Sequence, residues 1–295
     1  MPKKQGGIGL VHPLSRLGRI YGEMTVTRIG DEQFYCLSAA AAEQRDLDHL
    51  LQSKLAHEDV TITNTTMDRG VLVLSGPRSR DVLAKLTDAD LSNEGFRWLS
   101  GQDIIIAGLA VRALRVSYVG ELGWELHPAM DDLAALYDAV WAAGQEFGIA
   151  NYGLYAVNTM RMEKGYKAWG SELTNELTMI EAGMDRFIQF KKDHFVGKQE
   201  TLGAPDRFRI IYGAVDAAQV DVRGGEPCMI GDQCIGLTTS GGYGHRTAKS
   251  LFFACVPLSH AAPGSRFDIQ LQGELRSATV LEHPAYDPDN AKMKA

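Results

Sequence analysis

The chain has 295 residues, of which 45% are hydrophobic and 23% charged, with a formal net charge of −7. That composition belongs to a folded chain with room for about two domains and argues against disorder. The acidic balance and the absence of any Lys/Arg block argue against a nucleic-acid binder, and no run reaches the ~18 apolar residues of a spanning helix.

MPKKQGG has no apolar run behind it, so no secretory leader is expected and the chain reads as cytoplasmic. Residues 20–29 (IYGEMTVTRI) read as a strand, and residues 33–38 as its hairpin partner across a turn at 30–32. Leu47, Leu50, Leu51 and Leu55 predict the apolar face of a helix over 39–57. Residues 60–66 and 71–75 read as further strands. Pro77 then opens a helix whose stripe is Val82, Leu83 and Leu86. Strands are expected at 104–107, 110–118 and 124–127. Two helices follow, over 131–147 with Gly148 as its stop, and over 154–164 ending at Gly165.

Beyond Asp206 helical periodicity gives way to short strands with glycine turns, at 208–215, 226–230, 233–239, 250–256 and 267–271, the pattern of a small β-barrel or sandwich. The expected organisation is therefore a domain over 1–203, a β-barrel over 204–285 and a polar tail over 286–295 that frays. Cys36, Cys228, Cys234 and Cys255 form no C-x-x-C and read as reduced thiols. No metal site is expected, because no HExxH or His/Cys cluster occurs.

No phosphate loop, G-x-G-x-x-G fingerprint or G-x-S-x-G elbow is present, so no dinucleotide or flavin is expected in this chain. Two carboxylates stand in strand contexts. Glu23, in the middle of IYGEMTV, either positions a ligand or a proton or pairs with an Arg or Lys at the surface. Glu125, at the end of YVGELGWE, either accepts two parallel N–H donors from a guanidinium or pterin-like edge or sits opposite Arg112 or Arg115 in a plain hairpin. Tyr118 offers a ring and a hydroxyl. Arg161 either reaches the site or bridges to a neighbouring acid, and Tyr166 and Trp169 read as packing aromatics.

YVGELGWEL, NTMRMEKGYKAWGSEL, DHFVGKQ and TTSGGYGHRTAKSLFFACVP resemble, in family order, the folate-binding aminomethyltransferase-type domain. That domain occurs in the glycine cleavage T protein and in the C-terminal part of dimethylglycine and sarcosine dehydrogenases or oxidases. The stretch beginning PKKQGGIGL is more similar to the dehydrogenase branch. The resemblance implies an α+β fold: a mixed-sheet folate-binding domain followed by a small C-terminal β-barrel. It implies tetrahydrofolate as cofactor and one-carbon transfer in glycine or methylated-glycine catabolism, forming 5,10-methylenetetrahydrofolate. Glu23 stands where the family carries an Asp as its catalytic carboxylate. Tyr118 and Glu125 match the family's tyrosine and pterin-holding glutamate, Tyr166 matches a folate-side tyrosine, Arg161 falls within the matching helix, and Val157 replaces an arginine common in T proteins.

The implied partners are a small methylated amine-derived substrate and a flavoprotein domain or subunit. The family normally has further sequence before the PKK stretch, so the hairpin over 20–38 is expected to expose an unpaired edge and to favour homo-oligomers. A ligand-binding or scaffold module without turnover, and a demethylase of a small methylated compound, are the alternative readings.

Overall fold

The computed structural model describes all 295 residues. Three β1–β3 strands, Ile8–Val11, Met24–Arg28 and Phe34–Leu37, form an antiparallel sheet in the order β1-β2-β3. After helix α1 (Glu43–Ser53) comes a four-stranded antiparallel sheet of β4 (Leu72–Ser75), β5 (Gly101–Ile106), β6 (Leu109–Leu114) and β7 (Gly123–Pro128), in the order β4-β7-β6-β5. Helices α2 (Ser79–Ala84) and α3 (Leu133–Gly144) cover one face of it. They close a core in which Trp124, Phe96, Leu126 and Leu136 are buried. Helix α4 (Leu154–Glu163) and a short α5 (Lys198–Gly203) lead to the barrel. The barrel strands are β8 (Phe208–Val215), β9 (Pro227–Ile230), β10 (Gln233–Gly244), β11 (Lys249–Pro257), β12 (Arg266–Leu271) and β13 (Glu274–Val280). They close in the order β10-β11-β8-β13-β12-β9. The α+β architecture with a C-terminal barrel is thus as expected. No helix is long and apolar enough to cross a membrane, and all four cysteines are free thiols.

Several expectations are corrected. The strand expected over 20–29 begins only at Met24, so Glu23 precedes β2 instead of lying in its middle. β1 was not foreseen, and it pairs with β2 from Val11↔Met24 to Ile8↔Thr27. Both edges of β2 are therefore paired within the chain, and the open edge of the hairpin is that of β3, the outer strand of the sheet. Residues 60–66 form no strand: most of them are exposed, and their backbone joins no ladder. β13 was also missed.

The leucine stripe of the first helix does not build a core. Leu51 and Leu55 are exposed, and the buried residue of α1 is Asp46, held by Arg45. Periodicity reports an apolar face, but it cannot say whether another element covers it.

The tail does not fray. Met293 is buried, the Tyr286 hydroxyl donates to Glu121 at 2.5 Å, and the backbone oxygen of Ala295 accepts from Arg80 at 2.7 Å. Lys164 is buried and its ammonium is answered by Asp287 on the tail. A polar segment docks here because buried cations of the first domain need its carbonyls and its carboxylate.

Candidate functional site

β6 ends at Leu114, and the chain leaves the sheet through Arg115–Tyr118 before re-entering as β7. Gly120 makes that loop possible. Its φ of +80° suits glycine, and a Cβ there would stand 3.0 Å from the Lys164 side chain. The loop presents Tyr118 to Tyr166, the two rings stacking at 6.0 Å with 15° between planes. The Tyr118 hydroxyl donates to the Lys167 carbonyl at 3.1 Å. Burial drives both phenols up to about 12, so both are donors at neutral pH.

Tyr118 and Glu125 line one open cavity of about 760 Å³ between the β4–β7 edge, α3 and the start of α4. Its lining is mainly apolar and includes Val157. Glu125 faces Leu114 in the sheet register, and neither Arg112 nor Arg115 pairs with it. Arg112 instead forms a bidentate pair with Asp103 at 2.8 and 2.9 Å, and buried Arg115 donates to the Phe96 carbonyl at 2.6 Å. The hairpin alternative for Glu125 is thereby corrected: its carboxylate, 30% exposed, has no cationic partner from Arg or Lys.

Its nearest polar neighbour is His127 on the same face of β7. His127 Nε2 lies 3.5 Å from the carboxylate and is buried without a hydrogen-bond partner. Its Nδ1 meets the Tyr35 hydroxyl at 3.2 Å, and the Arg112 guanidinium covers the Tyr35 ring at 4.9 Å. Sequence reasoning missed Tyr35 and His127. The signal for His127 was present, since alternation along β7 puts 125 and 127 on one side of the sheet.

Glu23 has no Arg or Lys partner either. Its carboxylate accepts from His12 Nε2 at 2.9 Å, and His12, just after β1, is 3% exposed at its side chain. His12 packs edge-on against Phe187 at 5.7 Å. Glu23 lies near enough to Tyr118 to push its phenol pKa upward, which joins this pair to the tyrosine stack.

Arg161 is placed differently from the other four candidates. It is 2% exposed, and its guanidinium donates to Glu172 at 2.9 Å, to Asn158, to the Tyr166 carbonyl and to Ser240 of β10. It locks α4 to the barrel and holds the Tyr166 backbone from behind. A smaller, more polar groove of about 580 Å³ between Gln5–Gly6 and β5 lies apart from these residues.

Residues 1–192 match the model of the GCVT N-terminal domain, and residues 209–287 match that of the glycine cleavage T-protein C-terminal barrel domain. Among curated proteins, the mitochondrial dimethylglycine dehydrogenase of Rattus norvegicus is 38% identical over 95% of this chain and 33% of its own length. The formaldehyde-forming 4-methylaminobutanoate oxidase of Paenarthrobacter nicotinovorans is 30% identical over 92% of this chain and 33% of its own. An aminomethyltransferase of Thermoanaerobacter sp. (strain X514) is 28% identical over 93% of this chain and 75% of its own. The chain thus spans about a third of the length of the dehydrogenase and oxidase it matches. The crystal structure of glycine cleavage system aminomethyltransferase T from Bartonella henselae superposes with a TM-score of 0.84 over 97% of this chain and 77% of that one. At 23% identity, that likeness is one of fold.

Proposed function

The chain belongs to the glycine cleavage T-protein family, and from that premise we propose that it binds tetrahydrofolate in the cavity beside Tyr118 and serves one-carbon transfer. The observation that carries this reading is Glu125: a carboxylate without an arginine or lysine, facing an apolar cavity, next to the orphaned Nε2 of buried His127. A protein keeps such unanswered polar atoms where a ligand answers them. The amino and ring N–H edge of a reduced pterin supplies parallel donors to a carboxylate. The residues present therefore fit the group.

Tetrahydrofolate, when bound, supplies the nucleophilic nitrogens that accept the one-carbon unit. The protein's share is binding and proton management. Glu125 holds the pterin edge and fixes its rotation in the cavity. Tyr118 and Tyr166 pack against the ring or its linker, with Arg161 keeping Tyr166 in position. Glu23 and His12, joined at 2.9 Å, form a unit able to hold a proton at the carboxylate–imidazole contact. The mainly apolar lining strengthens each charge-assisted bond. Holding donor and acceptor together supplies the remaining rate gain by proximity.

The finer reading is formation of 5,10-methylenetetrahydrofolate in the breakdown of glycine or methylated glycine. In it the donor is a small methylated amine, and a flavoprotein domain or subunit acts as oxidising partner. The likeness to a dimethylglycine dehydrogenase and to an aminomethyltransferase supports it.

The test is calorimetric titration of tetrahydrofolate, under anaerobic conditions, into the parent, Glu125→Gln and Glu23→Gln. Losing one charge-assisted acceptor and turning an amide donor toward a ligand donor should weaken Glu125→Gln about ten- to a hundred-fold. Glu23→Gln should bind nearly as the parent and lose turnover instead. Parental affinity in Glu125→Gln would sink the pterin assignment.

A further inference from the structure

Asp103, Arg112 and His127 stand in one row across the four-stranded sheet, since the register pairs Asp103 with Arg112 and Arg112 with His127. β3 of the other sheet lays Tyr35 on that row. The Arg112 guanidinium covers the Tyr35 ring at 4.9 Å, and the Tyr35 hydroxyl meets His127 Nδ1 at 3.2 Å. Two residues before His127 on β7, Glu125 lines the cavity. His127 itself is 0% exposed and does not line the cavity, so a ligand reaches it only through Glu125.

The groups around His127 decide which ring nitrogen carries the proton. Burial pushes the Tyr35 phenol up by more than Arg69 and Arg112 pull it down, so the hydroxyl is protonated at neutral pH and can donate. On the other side of the ring, Nε2 faces a Glu125 oxygen at 3.5 Å. A carboxylate only accepts. A proton on Nδ1 would set the Nε2 lone pair against the carboxylate, acceptor to acceptor. A proton on Nε2 lets Tyr35 donate to Nδ1 and aims an N–H at Glu125. The nearby cations are engaged elsewhere: Arg112 holds Asp103 in a bidentate pair, and Arg69 donates to the His127 carbonyl at 3.3 Å.

At 3.5 Å the Nε2 contact is longer than a good hydrogen bond, and Nε2 has no other partner. In the chain alone the donor is therefore aimed but not spent, and a small rotation of the carboxylate closes the gap. A carboxylate that accepts two parallel N–H donors binds them better when its plane is held before the ligand arrives.

We infer that Tyr35 and His127 form a positioning relay for Glu125. The phenol donates to Nδ1 and fixes the ring with its proton on Nε2, and that N–H holds the plane of the carboxylate for the ligand's paired donors. The inference takes its ligand from the folate reading above, whereas the proton positions stand apart from it. Each carboxylate oxygen keeps a lone pair for the ligand, and the whole effect of the relay on affinity passes through Glu125.

Nitrogen NMR of histidine-labelled protein reads the proton directly. The His127 ring, assigned by its loss in His127→Gln, should show a protonated Nε2 and a bare Nδ1 at neutral pH. Tyr35→Phe and Glu125→Ala should each shift it toward a mixture of tautomers. A bare Nε2 in the parent, or a ring indifferent to both variants, overturns the relay. Calorimetric titration of tetrahydrofolate then measures the coupling in a double-variant cycle. With Glu125 present, His127→Leu should weaken binding about tenfold and Tyr35→Phe about threefold, while His127→Gln, whose amide can stand in for the Nε2 donor, stays within about threefold of the parent. In the Glu125→Ala background His127→Leu and Tyr35→Phe should each change affinity less than about twofold. A merely structural His127 gives the same fold loss in both backgrounds, and that result overturns the relay. Should His127→Leu fail to fold, Tyr35→Phe carries the cycle alone. If the parent binds no tetrahydrofolate, the folate reading fails, and the NMR result decides the relay on its own.

Discussion

The seam between α4 and the barrel and the outer face of β7 each hold a carboxylate, and they treat it in opposite ways. At the seam Glu172 is 0% exposed and its oxygens receive Arg161 at 2.9 Å, the Ala168 amide at 2.9 Å, Thr239 at 2.7 Å and Ser240 at 2.6 Å. On β7, Glu125 lines a cavity with His127 at 3.5 Å as its nearest polar neighbour. The first carboxylate has its lone pairs filled by protein and can only hold two regions together. The second has capacity left over. A satisfied buried network fixes structure, whereas an incomplete one beside a cavity marks where a ligand completes it.

The largest expected effect is at the seam. Arg161→Met strands the buried Glu172 charge and should lower stability by about 3–5 kcal/mol, read as a shift in the urea midpoint at unchanged slope. Loss below ~1 kcal/mol would mean that water reaches the seam and that the comparison with Glu125 is false. Met293→Ala should cost about 2 kcal/mol, the low end for a buried methionine because a terminal segment can detach at that price in contacts. Faster amide exchange along 286–295 would accompany it, and unchanged exchange there would show that Met293 does not hold the tail.

Glu125→Gln, by contrast, should leave the unfolding midpoint within ~0.5 kcal/mol of the parent, since it breaks no protein–protein pair. A large stability loss there would make Glu125 structural and bring it level with Glu172.

Lys167 gives a pH test of the same contrast. Its amine falls to about 8 in the folded chain from 10.5, so between those values the unfolded chain binds more protons and stability rises with pH. The cost of the lysine is complete below the folded value and relieved as pH approaches the unfolded one. Lys167→Met should therefore be more stable than the parent at pH 7, by a margin that closes toward pH ~10.5. A margin independent of pH would place the lysine in ordinary solvent. The smallest effect is expected at Arg78–Asp81, exposed by 59% and 48%, where breaking the pair should cost ~0–1 kcal/mol.

Much of the fold was legible because its signals are local. Gly148 and Gly165 end their helices at φ +72° and +65°, as their positions after apolar stripes predict. The β-rich character beyond Asp206 follows from short alternating runs and glycine turns. Where the reading failed, a distant partner decides. β1 is only four residues long and exists because β2 offers it a ladder. The leucines of α1 carry the right period for a core, yet Leu51 and Leu55 meet solvent. The tail looks polar and unstructured, but its residues answer Lys164, Arg115 and Arg80, which lie far away in sequence.

The candidate site divides along the same line. The sequence by itself determined which residues carry chemistry and their family context: Glu23, Tyr118, Glu125, Arg161 and Tyr166 stand in motifs that single them out. Which of them pair with one another, and which are left with capacity for a ligand, only the tertiary structure decided. Arg161 became a buried clamp, Glu23 found His12 just after a strand that periodicity did not reveal, and neither arginine offered to Glu125 pairs with it. The physical reason is that a charge's role depends on burial and on the groups that answer it, and both are set by contacts between residues tens to hundreds of positions apart.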